Sequence, residues 1–512
     1  MKNYKKIVTV LLSAAMAMSM AVTAGAAEEY DDTINIVRTA DAAYLDPNAE
    51  SIGGAECIVI QQLYEGLVKS SRTGDSIEPC LASDWTISDD GLTYTFNLVP
   101  DVKFCNGTPV TGEDWEWSLL RARDTETSAY AFIAEAIDTV EATDSQVVIT
   151  LKYPWAPFLA DLCNFNMVVG CKAYFDEVGE EAYSQKPVGT GPYMVTEWVK
   201  DEHISLTANP YYRVEGCPKT ENINFNVVTD DNTRLMQLQA GQGDILIDLP
   251  LSMAPVAESD ENLEFYMFDS TQQRYFILNT TVAPFDDVKV RQAFEYALNK
   301  PELAEVIAGE YGEAVAAIVS KAEGKWCNTD LQPYDYDPEK AKELLAEAGY
   351  PDGVDFTLSI RSGSEVYEQM AILIQAAAKD AGFNVEIERL ESAAMSEKYQ
   401  SLSHQATILM WLDDIIDPSG VTGWSVDYDQ CHAWYTGLND AELDELNTAA
   451  CKELDEEKRI EMYHEIQQRV HDNANIMPLF SNGFAYATTK NIQNLYVSPF
   501  SVLECAELVK TK

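Results

Sequence analysis

Residues 406–410 form a continuous run that is apolar but for Thr407, and the run then meets Trp411, Asp413, Asp414 and Asp417-Pro418. A short continuous apolar run predicts a strand covered on both faces, and the acidic residues with proline predict the turn that ends it. Residues 356–360, Phe-Thr-Leu-Ser-Ile, are another strand candidate and end at Arg361; a helical period then runs over 364–381 and closes at Gly382. Near the start, 33–38 reads as a strand. A loop containing Ser51-Ile52-Gly53-Gly54 follows, and then a helical stretch over 56–67. Alternation on either side of Asp89-Asp90-Gly91 predicts a hairpin between 85–88 and 92–98. Helix starts are marked at Thr111, Asp287, Pro301 and Asp337-Pro338, the last helix closing at Gly349. Helical and strand periods mix along the whole chain with no internal repeat, which predicts an α/β fold of interwoven lobes.

Two strands thus end in opposite charges. In open α/β sheets ligands lie beyond the carboxyl ends of the strands, so Arg361 and Asp414 are candidates to face one crevice, where they would suit a zwitterion. Two plainer roles stay open: Asp414 or Asp417 capping the next turn, and Arg361 as a solvated strand-end residue.

Lys2, Lys5 and Lys6 precede an apolar run over 7–22 and the small residues Ala24-Gly25-Ala26. This order predicts a cleavable secretory signal peptide over 1–26. No later stretch approaches the length of a membrane span. Cysteine is absent from the processing site, the first being Cys57, so the expectation is export without a lipid anchor, to the periplasm, the medium or the cell surface. The formal charge is −49, from 84 acidic and 35 basic residues; nucleic acid is excluded as a partner, because phosphate binding needs clustered Lys and Arg. With 46% hydrophobic and 10% aromatic residues, so much acid points to a soluble folded chain and not to a disordered one. Ten cysteines permit disulfides in an exported protein, Cys163 with Cys171 among the options, or serve as small buried apolar residues. No Cys-x-x-Cys, His-Glu-x-x-His, Gly-x-Ser-x-Gly or phosphate loop is present, which removes the usual signals of a metal site or a hydrolase.

A series of motifs carries a resemblance. It comprises Gln62-Leu-Tyr-Glu-Gly-Leu67, Leu81-Ala-Ser-Asp-Trp85, Val102-Lys-Phe-Cys-Asn-Gly-Thr-Pro109 and Pro187-Val-Gly-Thr-Gly-Pro-Tyr193. Asn209-Pro-Tyr-Tyr212, Leu278-Asn-Thr280, Pro284-Phe-Asp-Asp-Val-Lys-Val-Arg-Gln-Ala-Phe294, Tyr336-Asp-Pro338 and Leu344-Leu-Ala-Glu-Ala-Gly349 follow in order. By these the chain resembles the family 5 extracellular solute-binding proteins of ABC importers, which take up peptides and nickel, and within them the dipeptide-like branch. The resemblance implies a two-lobed, type II Venus-flytrap fold of the periplasmic-binding-protein kind with an extra inserted domain. Domain I would combine 27–70, 190–275 and 480–512, domain II would be the insertion 71–189, and domain III would run over 276–479. The crossovers would fall near 273–276 and 479–481.

The implied function is capture of dipeptides or short oligopeptides and their delivery to a membrane permease, by a monomer with no cofactor, no metal and no catalytic residue. Asp414, in the segment Trp411-Leu-Asp-Asp414, matches the family position that holds a peptide's α-ammonium. Arg361 matches the position that clamps the terminal carboxylate in the dipeptide branch. Ile52, Gly53 and Gly54 match a loop whose backbone approaches the ligand, and Trp411 would either stack on the ligand or pack within its lobe. Ile415, and Ser362-Gly363-Ser364 after Arg361, depart from the family pattern, which leaves the side-chain pockets undefined. The alternatives are the same fold with a nickel chelate, haem, glutathione or an oligosaccharide as cargo, or, from another class, a secreted hydrolase.

Overall fold

The structure, a computed structural model, describes residues 30–50 and 53–512. The expected signal peptide and Ile52 lie outside the described residues. In chain order the strands that matter here are β1 (Thr33–Arg38), β2 (Ala82–Ile87), β3 (Thr93–Leu98), β4 (Ile137–Thr143), β5 (Gln146–Leu151), β6 (Tyr193–Val199), β7 (His203–Ala208), β8 (Asn222–Val227) and β9 (Ile245–Leu246). They continue as β10 (Leu263–Phe268), β11 (Gln273–Leu278), β12 (Gly312–Ala314), β13 (Val354–Arg361), β14 (Phe383–Leu390), β15 (Ala406–Trp411), β16 (Ile476–Asn482) and β17 (Phe484–Thr489).

These strands form three sheets. A seven-stranded sheet has the order β10-β17-β9-β1-β8-β7-β6, a six-stranded sheet β12-β16-β11-β15-β13-β14, and a four-stranded antiparallel sheet β2-β3-β5-β4. In the first, β1 lies between two parallel neighbours, β8 and β9; in the second, β13 lies between parallel β14 and β15. Each sheet has its own apolar core. Ile34, Ile36, Phe225 and Tyr486 anchor the first, Phe276, Phe294, Phe356 and Ile408 the second, and Phe96, Trp115, Ile149 and Phe158 the third. A further apolar cluster around Tyr275, Trp434 and Tyr463 covers the other face of the six-stranded sheet at β11, β15 and β16, which is why β15 reads as a nearly continuous apolar run, whereas β13, outside that cluster, alternates.

The chain passes between the two large sheets twice. Residues 269–272 join β10 to β11, and Gly483 alone joins β16 to β17. These passages lie a few residues outside the positions expected at 273–276 and 479–481, because β11 and β16 are each paired to their ends. A Cβ on Gly483 would stand 2.3 Å from the Phe268 carbonyl oxygen, so the second passage needs glycine to lie against the first.

Most expected elements are present. The hairpin around Asp89-Asp90-Gly91 is β2–β3, and Ser364 caps the helix Glu365–Asp380 by accepting from the Tyr367 amide. Helix α1 (Gly54–Leu63) is shorter than expected. Its continuation is drawn away: Leu63 O accepts from Gly191 N at 2.9 Å, Glu65 O from Val169 N at 3.1 Å, and Gly66 bridges Val168. The loop 187–193 presses so close that a Cβ on Gly189 would lie 2.1 Å from Leu63 O. All ten cysteines are free thiols, Cys163 and Cys171 included.

Candidate functional site

The residues that follow β15 define one wall of a cavity of about 1370 Å³. In β15, Ala406–Ile408 are buried, but Met410 is 40% exposed and, with Trp411, faces the cavity. The strand leaves its cover as it reaches this space. Its last residue pairs with the first of β11, Trp411 opposite Gln273, and the Asp413 amide donates to Thr271 Oγ1 at 3.0 Å. Thr271 belongs to the 269–272 passage, so the acidic turn is fastened to the point where the chain changes sheets.

The two adjacent aspartates face opposite ways. Asp413 is buried; its Oδ1 accepts from Trp411 Nε1 at 2.8 Å, and desolvation, with the Asp414 carboxylate beside it, pushes its carboxyl up to about 7 against the lowering hydrogen bonds from Trp411 and Glu323. Asp414 presents its carboxylate to the cavity. It is exposed to the cavity, but protein surrounds it on its other sides, and this desolvation raises it to about 6 against the lowering effect of a hydrogen bond from Tyr130. That bond, Tyr130 Oη to Asp414 Oδ2, measures 3.1 Å and reaches from the segment between β3 and β4. The Tyr130 ring is held edge-on to Phe165 at 4.7 Å and stacked on Phe132 at 5.8 Å. Trp411 lies 5.5 Å from Trp424 and 5.7 Å from Trp434, so it lines the cavity and packs within its lobe at once.

The opposite wall is built on α1. Gly53 caps the helix, its amide donating to Glu56 Oε2 at 2.9 Å. Gly53 and Gly54 line the cavity, and a Cβ on Gly54 would meet nothing within 4 Å. Glycine here leaves space in front of the backbone without relieving any clash. Further along lie Cys57, Gln61 and Glu65, then Cys80, Cys163, Asn164 and Arg213 from other segments. Arg213 pairs with Glu65 at 2.9 Å. The other cavity cations are also matched, Arg72 with Glu504 (2.8 Å from Nε) and Lys69 with Glu78 (3.7 Å).

Asp414, Trp411, Gly53 and Gly54 therefore border one space. Arg361 does not: it is exposed at the end of β13, opposite Leu390, and is absent from the cavity lining. Ser359 is level with Thr407, which puts Arg361 level with Leu409 and five residues short of Asp414. At about 3.3 Å per residue that is up to roughly 16 Å. Asp417 is a turn residue: it accepts from Ser419 N at 3.0 Å and is buried against Arg459 at 2.9 Å. Tyr130 and the Glu65–Arg213 pair escaped sequence reasoning; Tyr130 carries no local signal, and Glu65 was visible only as part of a motif. Among the described residues no group of three or more His, Cys, Asp or Glu is placed to hold a metal ion, and no helix is long and apolar enough to cross a membrane.

The family model for bacterial extracellular solute-binding proteins, family 5 (Middle), matches residues 76–430. The chain belongs to that family. Among relatives, it is 27% identical to the glutathione-binding protein GsiB of Escherichia coli K12 and 28% to that of Salmonella typhimurium, each over 451 residues covering 86% of this chain and 87% of the relative. Among solved structures it resembles the periplasmic binding protein DppA of Helicobacter pylori in complex with the peptide STSA, with TM-score 0.82, 25% identity, and coverage of 94% of this chain and 99% of that one. A dipeptide-binding protein of Pseudoalteromonas sp. SM9913 in complex with Met-Leu has TM-score 0.80 at 23% identity, covering 94% and 100%. The two-lobed fold is thus that of family 5 receptors, and the chain is a solute-binding protein of the ABC-importer class.

Proposed function

We propose that the cargo is a short peptide, held by its α-ammonium on Asp414 and handed to a membrane permease. One observation carries this reading: Asp414 is a cavity-wall carboxylate that no cation neutralises and that accepts from the Tyr130 hydroxyl, whereas Asp75, the other lining acid without a cation, is already engaged by the Ser71, Thr73 and Ser76 hydroxyls, and Arg213, Arg72 and Lys69 already have carboxylates. A desolvated anion facing a cavity of peptide size is stabilised by a cation that enters it. The bare backbone at Gly53 and Gly54 supports main-chain approach from the other wall, and Trp411 offers a ring face to the first side chain.

The lobes in this reading are residues 27–70, 190–275 and 480–512 on one side and 276–479 on the other, with 71–189 as the insertion that supplies Tyr130. Ligand contact with both walls would favour closure about 269–272 and Gly483, the differential contact that a population shift requires. The protein binds and releases without turnover, acts as a monomer, and is exported by the leader over 1–26 without a lipid anchor. A second reading is glutathione, favoured by the names of the 27–28% identical relatives; it too carries a free α-ammonium.

Mass spectrometry of co-purifying ligand, then titration calorimetry of unfolded-and-refolded protein with dipeptides, tripeptides and reduced and oxidised glutathione, decides between them. Peptide binding that N-acetylation abolishes supports the proposal, and saturable binding of glutathione alone replaces it. Sustained hydrolysis of a bound peptide would remove the binding-protein reading.

A further inference from the structure

The wall formed by α1 carries a second polar site. Cys57, Gln61 and Glu65 recur every fourth residue and all line the cavity, so one face of the helix and the turn after it forms a stripe. Cys57 lies within the field of Asp414, which helps to raise its thiol. Six residues at about 1.5 Å each reach Leu63, the helix end, and two extended residues at about 3.3 Å then place Glu65 up to roughly 16 Å from Cys57.

Glu65 is 8% exposed. Its Oε1 accepts from both Nε (3.1 Å) and Nη2 (2.9 Å) of Arg213 and from the Cys80 thiol at 3.7 Å. Oε2 is buried and has no hydrogen-bond partner; the Thr190 hydroxyl stands near enough to favour the ionised form, and its own Oγ1 is equally unpartnered. Two further unpartnered buried atoms belong to cavity-lining residues, Gln61 Oε1 and Asn164 Nδ2. Asn164 Oδ1 accepts from Asn166 N at 3.3 Å, which assigns the amide nitrogen as the free end. Burial keeps the Glu65 carboxyl above its ordinary range in spite of Arg213. Among buried polar groups such open atoms are exceptions that call for a partner.

We propose that Glu65 Oε2 and Gln61 Oε1 receive the ammonium or guanidinium of a basic side chain, so that this receptor selects peptides with Lys or Arg near the third residue. The inference rests on the reading that Asp414 holds the N-terminal ammonium. Two extended residues advance about 7 Å, and the long stem of the third side chain covers the rest. The occupant is a cation and not a neutral donor because the lining carries Glu65, Asp75, Glu78, Asp414, Glu504 and Glu507 against Lys69, Arg72 and Arg213. Asn164 Nδ2 then meets a main-chain carbonyl of the ligand.

Calorimetry at neutral pH on ligand-stripped full-length protein, with Ala-Ala-Xaa-Ala peptides where Xaa is Lys, norleucine, Ala or Glu, tests this. Lys should bind about tenfold tighter than norleucine, the weight of one partly desolvated charge pair, and Glu weakest. Glu65→Gln should abolish the preference while the all-Ala peptide stays dependent on Asp414. Because Glu65 also holds Arg213, Gln61→Leu is the second variant; it breaks no protein hydrogen bond at Oε1 and should reduce the preference. Equal binding of Lys and norleucine peptides, with the all-Ala peptide still bound, overturns the inference and leaves the peptide reading standing. Failure of every tetrapeptide overturns the inference, and the peptide reading falls with it only if dipeptides and tripeptides fail as well.

Discussion

The ends of β13 and β15 are neighbours in one sheet, parallel and alike in sequence, yet they meet different surroundings. At the end of β15 the chain turns into the cavity through Asp413 and Asp414, fastened by Thr271 to the passage between the lobes. At the end of β13, Arg361 stays beside Leu390 on the outer part of the sheet, exposed. The difference comes from which strand each one follows: β15 is paired with β11, which begins at the lobe boundary, while β13 is paired along its length with β14, which does not. A charge at a strand end becomes part of a site when its strand leads to the cleft; the alternation of apolar and polar residues cannot say which strand that is.

The strongest way to break this comparison is to exchange charge for amide at the cavity end. Asp414→Asn should weaken peptides with a free amino terminus about 30-fold or more, the cost of losing one partner of a desolvated charge pair, and should remove any penalty for N-acetylation. Calorimetry that finds affinity within about threefold of wild type would sink the ammonium anchor.

A smaller effect should come from pH. The Asp414 carboxyl sits at about 6 in the unliganded protein, so protons compete with the ligand below that value, and binding of free-amine peptides should fall about tenfold between pH 7 and pH 5. N-acetylated ligands should show no such slope, and a flat profile for the free amines would contradict the assignment.

The buried neighbour offers a contrast in stability. Asp413 is raised to about 7 in the folded chain by burial and by the neighbouring Asp414 carboxylate, above its unfolded value, so the native state holds the extra proton and loses stability as pH rises through that range. Asp413→Asn keeps the acceptor for Trp411 and removes the titration; differential scanning fluorimetry should show its melting temperature gaining on wild type by a few degrees from pH 6 to 8. A gap that does not widen would mean that the pair is not titrating.

The smallest change is expected at the other strand end. Arg361→Met should leave dipeptide affinity within about twofold. A larger loss, confined to ligands with a free carboxyl terminus, would show that closure carries Arg361 into the site and would erase the distinction drawn between the two strands.

Much of this architecture was legible because its signals are local. β1, the β2–β3 hairpin, β13, β15 and the Ser364-capped helix follow from apolar runs, turn residues and caps within a few positions of each other. The shortened end of α1 was not, since it depends on amides of distant segments, Gly191 and Val169, donating to the Leu63 and Glu65 carbonyls. Asp414 and Trp411 were accessible as the abrupt end of an apolar run, and Gly53 and Gly54 through the family motif. Tyr130 sits in Ser128-Ala-Tyr-Ala-Phe132 with nothing to mark it, and becomes part of the cavity only because Phe165 and Phe132 aim its hydroxyl at a residue 284 positions away. Register between parallel strands, which separates Arg361 from Asp414, is likewise a property of pairs and not of either segment.

The ten free thiols have a consequence for how such a chain matures. Proteins that leave the cytoplasm often wait on an oxidant to lock their shape, but here nothing is locked: the thiols are largely enclosed, and burial pushes Cys80, Cys327, Cys431 and Cys451 up to about 12. Few of them ionise at neutral pH, and thiolate is the form that attacks peroxides and disulfides. Shape is therefore acquired and kept by packing alone, and the receptor is as competent in a reducing habitat as in an aerated one.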